Sequence, residues 1–218
     1  MHYRVGGKLI RSELAAKPPS RASRHLLAFL SRHDRVACAV DYGCGKLRYA
    51  AQLAAMTESL ILVDSSDQLD RQQTIDGEET TVRRLAKKSW PTVRIETVLE
   101  FQTNRRPKVD FALCANVLSA IPIGAAQSRA LAAIRRRLKA TGSLLVVNQH
   151  TNSYFSQVAR REDAVSRLDG WLVPRNNSAF YYGILDKKKT SEILNREGYE
   201  IVEHWIEGQS NYALARIR

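Results

Sequence analysis

The sequence predicts an α/β protein built on a largely parallel sheet, and three observations predict it. Between Val36 and Asp64 a short apolar run ends in an acid and two glycines. A helical stretch follows, and then a second apolar run that ends in a second acid. The two acids, Asp41 and Asp64, lie 23 positions apart, the length of one β-α-β step. Beyond them, apolar runs of strand length keep alternating with helical stretches up to about residue 150, as parallel strands covered on both faces require. The chain closes on two strand-like runs around Gly208, which read as a hairpin.

Taken in order, residues 1–35 carry eight Lys and Arg against two acids and read as a basic arm. The arm leads into a short helix that starts near Pro18-Pro19-Ser20 and carries Leu26, Leu27 and Leu30 on one face. Two functions suit such an arm: a lid, or a contact to nucleic acid. Val36–Val40 is a buried strand, and Leu47–Ala55 has the composition of a helix, so Lys46, Arg48 and Tyr49 fall in its first turn. Cations there oppose the helix dipole, and an anionic group on a ligand would offset them. Ser59–Val63 is the second strand. Ser65–Thr74 and Glu78–Lys88 read as helices, Val93–Val98 as the third strand and Asp110–Ala115 as the fourth. Gly124–Lys139 is the plainest helix. Leu131, Ile134 and Leu138 face inward, and Arg135, Arg136 and Arg137 crowd the end where cations suit the dipole. Ser143–Val147 is the fifth strand. Residues 151–190 lack a strong period and read as a cap rich in aromatic and amide groups, with a helix at Ser156–Leu168. Thr190–Glu197 is the last helix.

The Gly turn sets the ligand class. Gly43 and Gly45 let a ligand approach the backbone, the following helix offers unpaired N–H groups, and an acid ending the second strand suits a ribose diol. Asp41 beside the loop repels a pyrophosphate and attracts an ammonium or sulfonium group. S-adenosylmethionine carries both cations. Position 48 is Arg where a dinucleotide fingerprint has its third glycine, which makes a nicotinamide cofactor the weakest alternative.

On these residues the chain resembles the class I S-adenosylmethionine-dependent methyltransferases. Val40-Asp41-Tyr42-Gly43-Cys44-Gly45 is similar to their first motif and Leu60–Asp64 to their second. Val109–Leu118 is similar to the fourth, and Leu138–Val147 to the strand after it. The resemblance covers roughly residues 36–150 and implies a three-layer sandwich with a mostly parallel, seven-stranded Rossmann-like sheet. The last two strands would be an antiparallel hairpin at its edge. It implies one methyltransferase domain over 1–218: the arm and first helix (1–35), a donor-binding core (36–150), a substrate-side cap (151–190) and a C-terminal helix and hairpin (191–218). Donor contacts are expected from Asp41, Gly43, Cys44, Gly45, Asp64, Ser65, Val98, Leu99 and Asn116. Asn116 and His150 are the catalytic candidates, and Asn148, Tyr154, Tyr181 and Tyr182 the acceptor contacts. One departure is Leu47, where the family usually has a third glycine.

Composition bounds the partner. Lys and Arg number 34 against 22 acids, a net charge of +12, which favours polyanions. Nucleic acid is therefore the leading acceptor expectation. RNA stands ahead of DNA because Asn116-Val117-Leu118-Ser119 is not the Pro-Pro-aromatic box of base-amino methyltransferases. A small-molecule acceptor is the alternative, and a basic nucleic-acid-binding module with a degenerate, non-catalytic donor pocket is another. Three cysteines, Cys38, Cys44 and Cys114, fall on or beside core strands without metal-ligand spacing and read as reduced, buried side chains. No apolar run approaches the ~20 residues of a membrane span, so no membrane partner and a cytoplasmic location are expected.

Overall fold

The structure is a computed structural model; it describes residues 2–105, 107–150, 153–175 and 178–218, the side chains of 153, 154 and 175 excepted. The chain opens with the hairpin β1 (His2–Val5) and β2 (Lys8–Arg11), two 3-10 turns (Ser12–Ala15 and Pro19–Arg21) and α1 (Arg24–Arg32). Then come β3 (Val36–Tyr42), α2 (Ala50–Met56), β4 (Thr57–Asp64), α3 (Ser66–Asp70), β5 (Gln73–Ile75), β6 (Glu78–Thr80) and α4 (Val82–Ser89). Next are β7 (Arg94–Thr97), α5 (Val98–Thr103), β8 (Val109–Ala115), α6 (Gly124–Arg137) and β9 (Leu138–Gln149). The chain ends with α7 (Ser153–Ala159), β10 (Val165–Arg167), β11 (Gly170–Arg175), β12 (Ser178–Gly183), α8 (Lys187–Arg196), β13 (Tyr199–Glu207) and β14 (Ser210–Ile217).

The expected seven-stranded sheet is present, in the order β13-β14-β9-β8-β3-β4-β7. Its strands are parallel except β14, which runs antiparallel to both neighbours and forms the edge hairpin with β13. Side-chain alternation along β3 splits the core in two. Cys38, Val40 and Tyr42 pack with Phe101 of α5, Ile134 of α6 and Ile193 of α8. Ala39 faces the other layer, with Leu26 of α1, Leu53 of α2 and Val82 of α4. Two-sided burial explains why the central strands read as unbroken apolar runs.

A second, five-stranded sheet was not expected. Its order is β1-β2-β12-β11-β10, and β2 joins β12 in parallel with Ala179 beside Ile10. Residues 1–35 are thus not a free arm, because their hairpin extends the cap. Tyr3, Ile10, Leu172, Ala179 and Tyr181 from this sheet share the core of the main sheet's first face. The expected helix at Ser156–Leu168 is shorter and earlier, and strands take the rest of the cap. The expected helix at Glu78–Lys88 starts only at Val82, because Asp76 (φ 45°) and Gly77 (φ 90°) form a two-residue turn between β5 and β6.

Candidate active site

At the carboxyl end of β3 the chain makes its Gly turn, and hydrogen bonding fixes the turn's shape. The N–H groups of Gly43 and Cys44 both donate to Val63 O, at 2.8 and 3.0 Å. Gly45 N–H donates to Asp64 Oδ2 at 2.8 Å, and Gly45 O accepts from Gln68 Nε2 at 2.7 Å. Leu47 N–H donates to Cys44 O at 2.8 Å. These four loop N–H groups are therefore spent within the protein, and α2 begins only at Ala50. The Gly turn's own amides therefore form no anion cradle, and Lys46, Arg48 and Tyr49 precede the helix instead of opening it. A Gly turn whose glycine amides are already bonded is a poor pyrophosphate site, which weakens the nicotinamide alternative further.

Leu47 takes φ +65°, the backbone conformation a glycine would adopt most easily. A left-handed non-glycine residue costs about 1–2 kcal/mol. Burying the Leu47 side chain, which is only 2% exposed, returns about 1.5–3 kcal/mol. The loop thus keeps the third-glycine shape with a leucine in it.

Two adjoining cavities open at this end of the sheet. The smaller, about 120 Å³, is walled by Asp41, Gly43, Cys44, Gly45, Tyr49, Asp64, Gln68 and Asn116, with Tyr3 and the segment Ser12–Lys17 closing it. The larger, about 530 Å³, is walled by Ser119, Gln149, Arg161, Pro174, Phe180, Tyr181, Tyr182 and Gly183. Ala15, Lys17, Arg48, Asn116 and Ala120 belong to both walls.

The smaller cavity is acidic. Asp41 is buried, and burial followed by repulsion from Asp64 pushes its carboxyl up to about 7. Burial also raises the Asp64 carboxyl, against the Gly45 and Ser65 N–H groups that hold it down. Burial, then the two nearby carboxylates, pushes the Cys44 thiol well up, so it stays a protonated wall atom. Glu13, also buried in this wall, accepts from His2 Nε2 and Arg11 Nε.

At the junction, Asn116 ends β8 with φ +59°, and its buried Oδ1 has no hydrogen-bond partner among the described residues. Asn116 thus combines a left-handed backbone and an unsatisfied acceptor at the wall the two cavities share. In the larger cavity the Tyr181 hydroxyl is buried and raised to about 12, by burial first and by the nearby Asp169 second. Tyr182 is braced by Phe155, ring centroids 4.4 Å apart.

The structure brings together six of the nine expected donor residues: Asp41, Gly43, Cys44, Gly45, Asp64 and Asn116. Ser65 lines neither cavity; it caps α3, accepting from Gln68 N–H. Val98 and Leu99 open α5 under a Thr97–Glu100 capping box, which ends β7 earlier than expected and carries both away from the cavity. Of the expected acceptor residues, Tyr181 and Tyr182 line the larger cavity, and the Tyr154 side chain lies outside what the structure describes. Asn148 is fully buried between strands, and His150, placed by its N–H to Gln209 O, is in neither wall. Sequence reasoning missed the Ser12–Lys17 wall, Gln68 and Arg161. Phe180 reads there only as one of the cap's aromatic groups, and the alternation of β12 puts it on one face with Tyr182. Among the described residues no cluster of His, Cys, Asp or Glu is placed to hold a metal, and no helix is long and apolar enough to cross a membrane.

The site suits S-adenosylmethionine on its own chemistry: buried carboxylates for cations, an acid after the second strand for a diol, and glycine backbone lining the cavity. Comparison with known proteins agrees. A family model described as a methyltransferase domain matches residues 14–204. The chain is 35% identical over 215 residues to YmfD of Escherichia coli K12, a protein described as uncharacterized, covering 97% of this chain and 94% of that one. Its fold is shared by the Burkholderia thailandensis 1,6-didemethyltoxoflavin-N1-methyltransferase, solved with 1,6-didemethyltoxoflavin and S-adenosylhomocysteine. That match has 16% identity, a TM-score of 0.61, and covers 89% of this chain and 77% of that one. An S-adenosylmethionine-dependent methyltransferase from Clostridium acetobutylicum matches with 11% identity and a TM-score of 0.60, over 83% of this chain and 84% of that one. With its matched domain and its motifs in place, the chain belongs to the methyltransferase-domain family and is an S-adenosylmethionine-dependent class I methyltransferase.

Proposed function

We propose that the acceptor is a small, flat molecule seated in the larger cavity. The observation that carries this is the cavity itself: about 530 Å³, walled by Pro174, Phe180, Tyr181 and Tyr182, and joined to the donor cavity at Asn116. That volume lies within the ~300–1,000 Å³ of small-molecule sites. The Burkholderia enzyme, solved with 1,6-didemethyltoxoflavin, supports a small acceptor on this fold.

Bound S-adenosylmethionine supplies an electrophilic methyl group on a sulfonium. The chain's own residues then do five things. Asp41 faces the donor's cationic end and Asp64 accepts from its ribose hydroxyls, exchanging or sharing the Gly45 N–H bond. Gly43 and Gly45 let the donor lie against the backbone. Asn116 Oδ1 accepts an N–H or O–H of the acceptor and aims it at the donor cavity. Phe180 and Tyr182 hold the acceptor's plane and exclude water. Alignment and dehydration of this kind are the main contributions a methyl-transfer site needs.

Incubation with methyl-labelled donor and separated cell fractions tests this reading. Label is expected in the small-molecule fraction, and label confined to RNA or DNA would sink the proposal. The net charge of +12 supports the second reading, a nucleic-acid acceptor with RNA ahead of DNA, and the same experiment decides between them.

The assignment of Asp41 makes a pH prediction. Below about 7 this carboxyl is protonated and loses its attraction for the donor's cations; above it the attraction is complete. S-adenosylmethionine affinity should therefore climb between pH 6 and 7 and level off toward pH 8, with proton release on binding below the midpoint. Asp41→Asn should weaken binding by about 1.5–3 kcal/mol and flatten the profile. Calorimetry in buffers of different ionisation enthalpy reads both quantities. An affinity independent of pH in the parent chain would remove Asp41 from the cation site.

A further inference from the structure

We infer that the acceptor is an anion, a flat aromatic acid whose negative group lies among Lys17, Arg48 and Arg161 at the mouth of the larger cavity. This rests on the small-molecule reading above and narrows it.

The acids stand on one side only. Asp41, Asp64 and Glu13 line the smaller cavity, with Lys17 and Arg48 on the wall it shares with the larger. The larger one is lined by Lys17, Arg48 and Arg161 and, among the described residues, by no acid at all. A small neutral ligand would leave that imbalance uncompensated, and like charges gathered around a low-dielectric pocket repel one another.

Two of the three cations are already oriented. Arg48 Nε donates to Arg21 O at 2.8 Å, and its Nη2 donates to the same carbonyl, while the guanidinium lies 5.4 Å from the Tyr49 ring centroid. The contact is to a neutral carbonyl, so the charge of Arg48 is held in place without being cancelled. Arg161 is gripped in a fork by Asp163, at 2.8 and 2.7 Å, which orients it and offsets its charge. Lys17 makes no hydrogen bond or ion pair among the described residues, although it stands in both cavity walls. The mouth therefore keeps a net charge of roughly two, one part rigid and one part on a long flexible stem. A planar guanidinium and a mobile ammonium around an aromatic slot match a ring bearing a carboxylate or a similarly compact anion.

The placement also fits the donor. A sulfonium on the acidic side and an anion on the basic side meet across Asn116, so each ligand finds opposite charge in its own cavity and in the other ligand. Reversing the two would put like charges together on both sides.

The test uses the full chain saturated with S-adenosylhomocysteine and matched pairs of aromatic acid and carboxamide. Suitable pairs are salicylate with salicylamide, anthranilate with anthranilamide, and quinoline-2-carboxylate with its amide. Affinities come from ligand-observed NMR titration. Acids are expected to bind about tenfold or more tightly than their amides, the scale of a charge-assisted contact. In Lys17→Gln, and separately in Arg161→Gln, that preference should fall to about threefold or less; in Arg161→Gln, whose side chain stands in the larger cavity's wall and not the smaller's, S-adenosylhomocysteine should bind as in the parent. Amides binding as well as acids overturns the anionic acceptor and leaves the small-molecule reading standing. So does a preference that both variants retain. Failure of every acid and amide overturns the inference too, and if an RNA oligonucleotide binds in their place the small-molecule reading falls with it.

Discussion

Replacing Arg137 with methionine is expected to destabilise the chain by about 3–5 kcal/mol, the cost of removing one member of a buried ion pair. Arg137 closes α6 and is fully buried. Its Nη1 lies 3.0 Å from Glu96 Oε2 on β7, and its Nε donates to Pro107 O at 2.9 Å. The guanidinium also sits 4.5 Å from the centroid of Phe101 on α5. One side chain thus ties the edge strand, the helix after it and the approach to β8 onto the end of α6. Methionine restores apolar volume but leaves the Glu96 carboxylate charged in a buried place, with the Pro107 carbonyl short of a donor. Adding Glu96→Leu should recover part of the loss, because the stranded charge goes with it. Urea midpoints of the three proteins give the comparison. A single variant within about 1 kcal/mol of the parent would mean that the pair is dispensable to this corner of the fold.

Sequence pattern did not single that residue out, although it held a usable signal. Arg135, Arg136 and Arg137 read together as cations suiting a helix end. The buried stripe of α6, Ala130, Leu131, Ala133 and Ile134, continues by helical spacing to position 137, so only the last of the three points inward. Strands β3, β4, β8 and β9 were legible because burial on both faces writes itself as a continuous apolar run. The acids and glycines at their ends were legible because that end of a parallel sheet collects ligand contacts. Six of the nine residues expected at the donor site line one cavity there.

What stayed hidden depends on long-range pairing or on a single backbone angle. The sheet that covers the site joins β2 to β12 across most of the chain, through four- and six-residue strands with no strong local pattern. The Ser12–Lys17 wall could not be placed without that pairing. The turn between β5 and β6 was different: Asp76-Gly77 is a strong hairpin signal, and the helical reading of Glu78–Lys88 overrode it. Leu47 hides its role for a third reason. Its φ of +65° ends the Gly turn and delays α2 to Ala50, and nothing in the identity of a leucine announces a left-handed backbone.

Gly43→Ala is expected to lower donor affinity by at least about tenfold, ~1.4 kcal/mol, and in this the two glycines of the loop are not equivalent. A Cβ on Gly45 would meet Ala16 Cβ at 3.3 Å, which a small shift of the Ser12–Lys17 wall relieves. A Cβ on Gly43 would fall 2.3 Å from Val117 Cγ2, and no real contact is that short. Valine is stiff at χ1, so it cannot turn aside cheaply, and its neighbour is the strained Asn116 at the junction of the two cavities. The added methyl must therefore move either the Gly turn or the Asn116 corner, and each is a wall of the donor cavity. A backbone term adds to this, since φ is +81° at Gly43 and alanine there costs about 1–2 kcal/mol of stability. Two further variants separate these causes. Gly77→Ala carries the same kind of strain at φ +90° with nothing within 4 Å of the new methyl, so it should lower stability and leave S-adenosylhomocysteine binding unchanged. Val117→Ala in the Gly43→Ala background removes the Cγ2 that the methyl strikes, so it should restore most of the affinity and little of the stability. Calorimetric affinities and thermal midpoints for the set decide the matter. If Gly43→Ala binds donor as the parent does, close packing between the Gly turn and the Asn116 corner does not shape the donor cavity.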